Sequence, residues 1–184
     1  CSVALAELYN ETGRSDRALE LMLNRRFHPW EGGEGKVLKQ YTTARLRLGQ
    51  KALEDDDAEA ALEHFELAMQ PPRNLGEAYH LLQAKADVNY WIGSALRALG
   101  REEEAVKHFE ESAHEAGDFQ DMAVTEHSEL SYYRGLSLKA LGKVDAAKAL
   151  FSDLKAFAER ALQKPAKLDY FATSLPLLLV FEDD

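Results

Sequence analysis

The chain repeats one spacing of small and bulky residues four times. Successive alanines lie 43, 44 and 42 residues apart, and a large apolar residue follows each of them by four positions. A small residue precedes each alanine by twelve positions, and a turn-forming residue precedes it by five. The four columns are Ala18, Ala61, Ala105 and Ala147; Met22, Phe65, Phe109 and Phe151; Ala6, Gly49, Gly93 and Gly135; and Gly13, Asp56, Gly100 and Gly142. Columns that share one set of gaps indicate an internal repeat, which limits the possible folds more than local propensity does.

The columns describe a pair of packed antiparallel helices. A glycine or alanine in the first helix lets the second helix approach closely, where a larger side chain would hold it off. Gly or Asp then ends the first helix, since glycine readily takes the left-handed conformation of a turn. In the second helix the alanine lies at the crossing, and the Phe or Met one turn later fills the space towards the next pair. One pair cannot bury both of its faces, so the pattern predicts stacked helix pairs.

The composition also favours helices. Alanine and leucine supply 27 and 28 of the 184 residues, whereas Val, Ile and Thr together supply 13. Strands favour β-branched residues and helices favour Ala and Leu. A sheet-based enzyme fold is therefore nearly excluded.

The residues of these columns resemble the tetratricopeptide repeat (TPR) family. The residues that carry the resemblance are Leu5, Ala6, Tyr9, Gly13 and Ala18; Leu48, Gly49, Ala61, Phe65 and Ala68; Ile92, Gly93, Gly100, Ala105 and Phe109; and Gly135, Leu138, Gly142, Ala147 and Phe151. The resemblance covers about residues 1–163. It implies an all-α fold, a right-handed superhelical array of helical hairpins (an α-α solenoid). The repeat is longer than the usual TPR length of about 34 residues.

We predict four TPR-like hairpins over residues 1–163, the first one truncated, and a C-terminal capping helix over 164–184. Because the surplus residues precede the small residue of each first helix, long first helices are predicted near 36–54, 75–99 and 118–141. Second helices are predicted near 15–26, 58–70, 102–116 and 144–163. Prolines at Pro29, Pro71, Pro72 and Pro165 mark the junctions, where helices must stop. The chain opens on Cys1 rather than Met, and we expect it to be a fragment of a larger protein.

Charge and hydropathy exclude several classes of function. The formal net charge of −10 opposes nucleic-acid binding, which needs clustered Lys and Arg. The longest apolar run, Leu175–Phe181, is far shorter than the roughly 20 residues that span a bilayer. The one cysteine permits no internal disulfide and no signal peptide is visible, so we expect a cytoplasmic protein.

One stripe recurs in the first helices, which line the inner face of a TPR array. It consists of Asp87, Tyr90, Ser94 and Arg97 in the third repeat, Glu129, Tyr132, Leu136 and Lys139 in the fourth, and Thr43, Leu46, Gln50 and Leu53 in the second. Stacking would give an acidic, a tyrosine and a basic row, a surface that suits capture of a peptide or a partner helix. The alternative is a solvated face whose tyrosines pack between repeats. We predict that the partner contacts are Asp87, Tyr90, Arg97, Glu129, Tyr132 and Lys139.

The segment 27–35 is the most unusual stretch of the sequence. It contains a proline and three glycines, and its possible ligand contacts are His28, Trp30, Glu31 and Glu34. Trp30 could stack on a sugar or a peptide. We favour the alternative, in which Phe27 and Trp30 fill the gap between helix pairs. Together with residues 74–78, this segment resembles the TPR tails of large bacterial multidomain proteins of unknown function, whose other domains look like β-sandwiches related to carbohydrate-active proteins.

No residue pattern indicates catalysis, a metal site or a cofactor. The six histidines lack the spacing of a zinc-binding helix, although His108 with Glu111 and His114 with Asp118 could meet on adjacent turns. We therefore predict a non-enzymatic scaffold that presents a concave groove to a protein or peptide partner, or to another domain of its parent chain. Two alternatives stay open. One is an accessory module of a carbohydrate-active enzyme, with a ligand at the 27–35 loop; the other is a self-association module.

Overall fold

The computed structural model describes residues 2–28, 33–81, 83–115, 118–120, 123–125 and 127–163. Its helices are α1 (Ser2–Glu11), α2 (Ser15–Leu23), α3 (Lys36–Glu54), α4 (Ala58–Ala68), α5 (Ala86–Ala98), α6 (Glu102–His114), α7 (Leu130–Ala140) and α8 (Val144–Leu162). A 3₁₀ turn covers Arg73–Leu75, and two short strands, β1 (Asp118–Gln120) and β2 (Ala123–Thr125), lie between α6 and α7. Consecutive α-helices form four pairs, and each pair packs on the next. The predicted all-α array is confirmed.

A glycine beneath a phenylalanine ring sets the close approach inside three of the four pairs. A Cβ on Gly49 would lie 2.3 Å from the Phe65 ring, and one on Gly93 would lie 2.9 Å from the Phe109 ring. At Gly135 the distance to the ring of the half-buried Phe151 is 2.3 Å. The predicted roles of the small and bulky columns are therefore confirmed, because any side chain at these glycines would displace a ring.

In the first pair the same two places are taken by Ala6 and Met22, both with none of their surface exposed. The bulky residue also reaches the following pair, as expected. Phe65 stacks on Trp91 of the third pair, with 5.9 Å between the ring centroids.

The turn column ends each first helix with a left-handed residue. Gly13, Gly100 and Gly142 have φ of 74°, 73° and 76°, and Asp56 takes the same conformation at 60°. The backbone N–H of the next residue then donates to a carbonyl in the last helical turn, for example Arg101 to Leu96 at 2.9 Å. This bond satisfies a carbonyl that the helix end would otherwise leave unpaired.

The apolar core forms two clusters along the array. One lies between the first and second pairs and contains Met22, Val37, Tyr41 and Leu75. The other joins the second and third pairs and contains Phe65, Ile92, Leu96 and Phe109. The fourth pair meets the third partly through hydroxyls. Ser137 Oγ donates to Ser112 Oγ at 2.7 Å, and Ser112 Oγ donates to the Ala86 carbonyl at 2.8 Å.

The predicted helix over 75–99 is wrong in its first part, since α5 begins at Ala86. Residues 71–81, here called the 71–81 linker, instead fold back over the first two pairs. Asn74 Nδ2 donates to the backbone oxygens of Met22 and Arg25, at 2.8 and 2.7 Å. Leu75 is fully buried beside them in the first cluster. These contacts hold the linker in a path that contains the short 3₁₀ turn and no α-helix.

The second half of the linker contacts α3 and α4. The Glu77 carboxylate accepts a hydrogen bond from the Leu38 N–H at 3.0 Å. The Tyr79 hydroxyl donates to the Ala68 carbonyl at 3.0 Å and lies 2.9 Å from the Thr42 hydroxyl. Burial raises the pKa of Tyr79 to about 12, so its hydroxyl stays protonated and can donate.

The predicted helix over 118–141 is also wrong in its first part. α7 begins at Leu130, and β1 pairs antiparallel with β2, with Phe119 opposite Val124. The aromatic Phe119 and the β-branched Val124 and Thr125 favour strand over helix, which explains the difference.

The remaining predicted helices agree with the structure within three residues at each end. The predicted capping helix over 164–184 lies outside the described residues and stays a prediction. Among the described helices, including the 19-residue α3 and α8, none combines the length and hydropathy of a bilayer-spanning segment.

Candidate partner-binding groove

The first helices of all four pairs border one cavity of about 410 Å³, here called the inner groove. Helix α3 contributes the largest share of the lining residues, α1 contributes from one side, and α5 and the start of α7 supply the rest. The lining residues are Glu7, Asn10, Glu11, Lys39, Gln40, Thr43, Leu46, Arg47, Gln50, Asp87, Glu129, Leu130 and Tyr133. The first helices, which the TPR resemblance implied would line an inner face, therefore border one cavity.

Only part of the predicted stripe lines the inner groove. Asp87 and Glu129 do, together with the stripe residues of the second repeat Thr43, Leu46 and Gln50. Tyr133 lines the inner groove, whereas Tyr132, the adjacent residue that the stripe predicted to do so, does not. Because adjacent helical residues point about 100° apart, the inward face lies one position from the predicted stripe on α7.

Sequence reasoning missed the lining residues of α1 and those in the first turns of α3. Extending the spacing of three and four residues backwards from Thr43 reaches Lys39 and Gln40, so this signal was present in the sequence. Glu7 and Asn10 lie eleven and eight residues before Ala18, the same offsets that Ser94 and Arg97 have from Ala105, so the repeat spacing carried a signal for these two residues as well. Glu11 had no such signal.

Charge in the inner groove is mostly negative. Glu7, Glu11, Asp87 and Glu129 face two cations, Lys39 and Arg47. The Lys39 ammonium lies 3.8 Å from the Glu129 carboxylate, with both side chains largely exposed. Glu7 and Glu11 form no ion pair with any residue in the described part of the chain.

A buried amide pair lies at the floor of the inner groove. Asn10 is 1 % exposed, and its Nδ2 donates to the Gln40 carbonyl at 3.0 Å and to Gln40 Oε1 at 3.1 Å. These two bonds fix the orientation of the amide. Its Oδ1 has no hydrogen-bond partner among the residues that the structure describes.

Tyr90 and Arg97 instead lie in contacts between helices. The half-buried Tyr90 ring packs 5.9 Å from Phe109 and 5.1 Å from Trp91, centroid to centroid. The Arg97 guanidinium binds the Glu102 carboxylate at 2.6 Å and lies 4.6 Å above the Phe109 ring. This hydrogen-bonded pair raises the pKa of Arg97 and lowers that of Glu102.

The other two predicted contacts lie on the exposed side of α7. Tyr132 is 51 % exposed, and its ring packs 5.7 Å from Phe151, as Tyr90 packs on Phe109 in the preceding pair. Lys139 is exposed near the end of the helix. Partner binding by any of the six residues stays a prediction.

The structure describes part of the unusual segment 27–35. Phe27 packs against the first core cluster, and its N–H donates to the Asn74 carbonyl at 2.8 Å, as the packing interpretation expects. His28 and Glu34 are exposed, and Trp30 and Glu31 lie outside the described residues. Ligand binding by this loop stays a prediction.

Histidine and carboxylate side chains show no metal-like grouping of three or more in the part of the chain that the structure covers. His108 Nδ1 lies 3.0 Å from Asn89 Oδ1 and 3.8 Å from the Glu111 carboxylate. A neighbouring cavity of about 370 Å³ is bordered by Glu111, His114 and Glu115 among others. Burial raises the pKa of Glu115, whose carboxylate accepts from the Lys85 N–H at 2.7 Å.

Comparison with known proteins supports the repeat assignment. Residues 86–113, which cover α5 and nearly all of α6, match the tetratricopeptide repeat family model. Among solved structures, the chain is similar to MamA, with 16 % sequence identity, 89 % of this chain and 80 % of that chain covered, and a TM-score of 0.38. A superposition that loose transfers no property of MamA to this chain. The matched segment shows that residues 86–113 resemble one tetratricopeptide repeat, and the four stacked helix pairs show that the described chain is a helical-repeat array.

Proposed function

We propose that the protein is an interaction scaffold whose inner groove receives a segment of a protein partner, supplied by another chain or by another domain of the parent protein. The observation that carries the proposal is that first helices from all four pairs border one open cavity. A groove built this way can hold an extended peptide or a helix across several repeats, which is how helical-repeat arrays use their inner surface.

The lining residues suit such a role. Thr43 and Gln50 are half-exposed, and Glu7, Glu11 and Arg47 are exposed, so the wall offers polar groups that the fold itself does not use. Polar groups of this kind give orientation and specificity to a bound segment. In this proposal Asp87 and Glu129 contact the partner inside the groove.

Tyr132 and Lys139 would extend the contact surface beyond the groove, along α7. An exposed tyrosine held against a phenylalanine ring has little rotamer freedom left to lose on binding, which favours a contact role. Tyr90 and Arg97 would act differently, by holding the third pair in the position that shapes the groove.

A peptide-display selection against the whole 184-residue chain tests the proposal. Thr43→Trp places a large ring in the inner groove, and Glu63→Trp places the same ring on the exposed side of α4. We expect the selected peptides to lose binding to Thr43→Trp and to keep binding to Glu63→Trp, with both variants folded by circular dichroism. Selected peptides that bind both variants equally would place the partner surface elsewhere and end the proposal.

A further inference from the structure

We infer that the segment held by the inner groove is basic and that its Lys or Arg side chains meet Glu7 and Glu11. The inference rests on the proposed function and names the chemistry of the partner. Two independent observations support it: the charge of the groove wall, and a buried amide oxygen without a partner on Asn10, a residue that borders the groove.

Glu7 and Glu11 place two like charges on one face of α1. They are four residues apart, so their side chains are neighbours on the helix surface. Both are exposed, and neither pairs with a cation in the part of the chain that the structure describes. Like charges at this spacing oppose helix formation, and a cation from a partner would relieve the repulsion.

The cations that line the groove do not balance the negative charge of its carboxylates. Lys39 is already near Glu129 at 3.8 Å, which leaves Arg47 as the other cation of the lining. Four carboxylates against two cations, in a chain with a net charge of −10, repel an acidic segment and attract a basic one.

Asn10 is the second observation. It lies between the two glutamates in sequence, and its Nδ2 is held by Gln40, so its Oδ1 cannot be exchanged with Nδ2 without breaking both bonds. A buried acceptor without a donor is unfavourable, and a donor brought by a ligand would correct this. Lys and Arg side chains carry donors and no acceptors, and the Arg fork can serve a carboxylate and an amide oxygen together.

Fluorescence anisotropy with three labelled peptides of about twelve residues tests the charge requirement. One peptide alternates Lys or Arg with Ser, the second has Gln at every basic position, and the third has Glu there. We expect saturable binding of the basic peptide to the whole chain, and no saturable binding of the other two.

A pair of matched double variants separates binding at the groove from general attraction to an acidic protein. Glu7→Gln/Glu11→Gln removes two charges from the groove wall. Glu59→Gln/Glu63→Gln removes two charges of the same spacing from the exposed side of α4. We expect the first to raise the Kd of the basic peptide by roughly three- to tenfold, as the loss of two exposed ion pairs does, and the second by less than about twofold.

Equal weakening by the two double variants would overturn the inference, because the attraction would then come from net charge. The inference would also be overturned if the Gln-containing peptide bound as tightly as the basic one and lost this binding in Thr43→Trp. The proposed function would then stay in place. The inference would likewise fail, and the proposed function would stand, if display selected neutral or acidic peptides whose binding is lost in Thr43→Trp. If no selected peptide depends on Thr43, the proposed function itself fails.

Discussion

The carboxylate of Glu77 accepts a hydrogen bond from the backbone N–H of Leu38, 3.0 Å away and 39 residues earlier in the chain. Leu38 lies in the first turn of α3, where backbone N–H groups have no partner within the helix. Residues between the second and third repeats therefore cap a helix of the second repeat. A negative charge at this end of the helix is also favourable to its dipole.

Removing this cap should destabilise the protein. We expect Glu77→Ala to lower the free energy of unfolding by about 0.5–2 kcal/mol, the usual cost of losing a side-chain cap. Urea unfolding followed by circular dichroism measures the change. Glu110→Ala, an exposed site on α6, is the control and should stay within about 0.5 kcal/mol of wild type. Equal losses in the two variants would show that the Glu77–Leu38 bond contributes nothing.

The glycines beneath the phenylalanine rings should tolerate alanine unequally. A Cβ at Gly49 meets the fully buried Phe65 at 2.3 Å, so we expect Gly49→Ala to destabilise by about 1–3 kcal/mol despite its better helix propensity. Gly135→Ala meets Phe151 at the same distance, but that half-buried ring can move, so its loss should be smaller.

A double-mutant cycle tests the cause. Phe65→Leu should cost less stability in the Gly49→Ala background than in wild type, because the smaller side chain relieves the overlap. Strictly additive effects in unfolding experiments would mean that the ring and the glycine do not constrain each other.

Stability should fall when the solution is acidified, in part through His64. Burial and the neighbouring Arg45 guanidinium lower the pKa of His64 below its usual 6.5, and Arg45 Nη1 lies 3.3 Å from His64 Nδ1. Since the unfolded chain binds this proton more readily, stability present above pH 6.5 is lost as the pH falls. Between about pH 7.5 and pH 5.5 we expect the Tm of His64→Asn, whose side chain at this position cannot titrate, to fall by less than the Tm of wild type. Superimposable pH profiles would exclude His64 as the responsible group.

The two tyrosines of the predicted stripe should respond differently to alanine. Tyr90 packs against Phe109 and Trp91, so we expect Tyr90→Ala to lower the free energy of unfolding by about 1–3 kcal/mol. Tyr132 is 51 % exposed, and Tyr132→Ala should cost less than about 1 kcal/mol. Chemical denaturation of both variants measures this, and a larger loss for Tyr132 would contradict the assignment.

The repeat architecture could be predicted because its determinants recur locally. Gly49 and Phe65 meet within one helix pair, and the same spacing returns at Gly93 and Phe109. Each copy of the pattern therefore supports the others. Helix α3 was predicted with its observed bounds, since its glycine, its turn and its amphipathic spacing all agree.

The 71–81 linker could not be predicted in the same way. Asn74 bonds to Met22, 52 residues earlier, and a contact so distant in sequence leaves no periodic signal. The face of α7 was off by one position for a related reason. Whether Tyr132 or Tyr133 points inward depends on how the fourth pair is seated on the third, which the spacing within one helix does not specify.

The return of the 71–81 linker changes how the array can come apart. In a solenoid whose units touch only their neighbours, each unit can be lost or exchanged separately. Here, unfolding of the first helix pair also removes the contacts of Asn74 and Leu75. It therefore frees the linker that leads into the third helix pair. The linker therefore ties the stability of the first pair to that of the second and to the start of the third, so these units should unfold together rather than one by one.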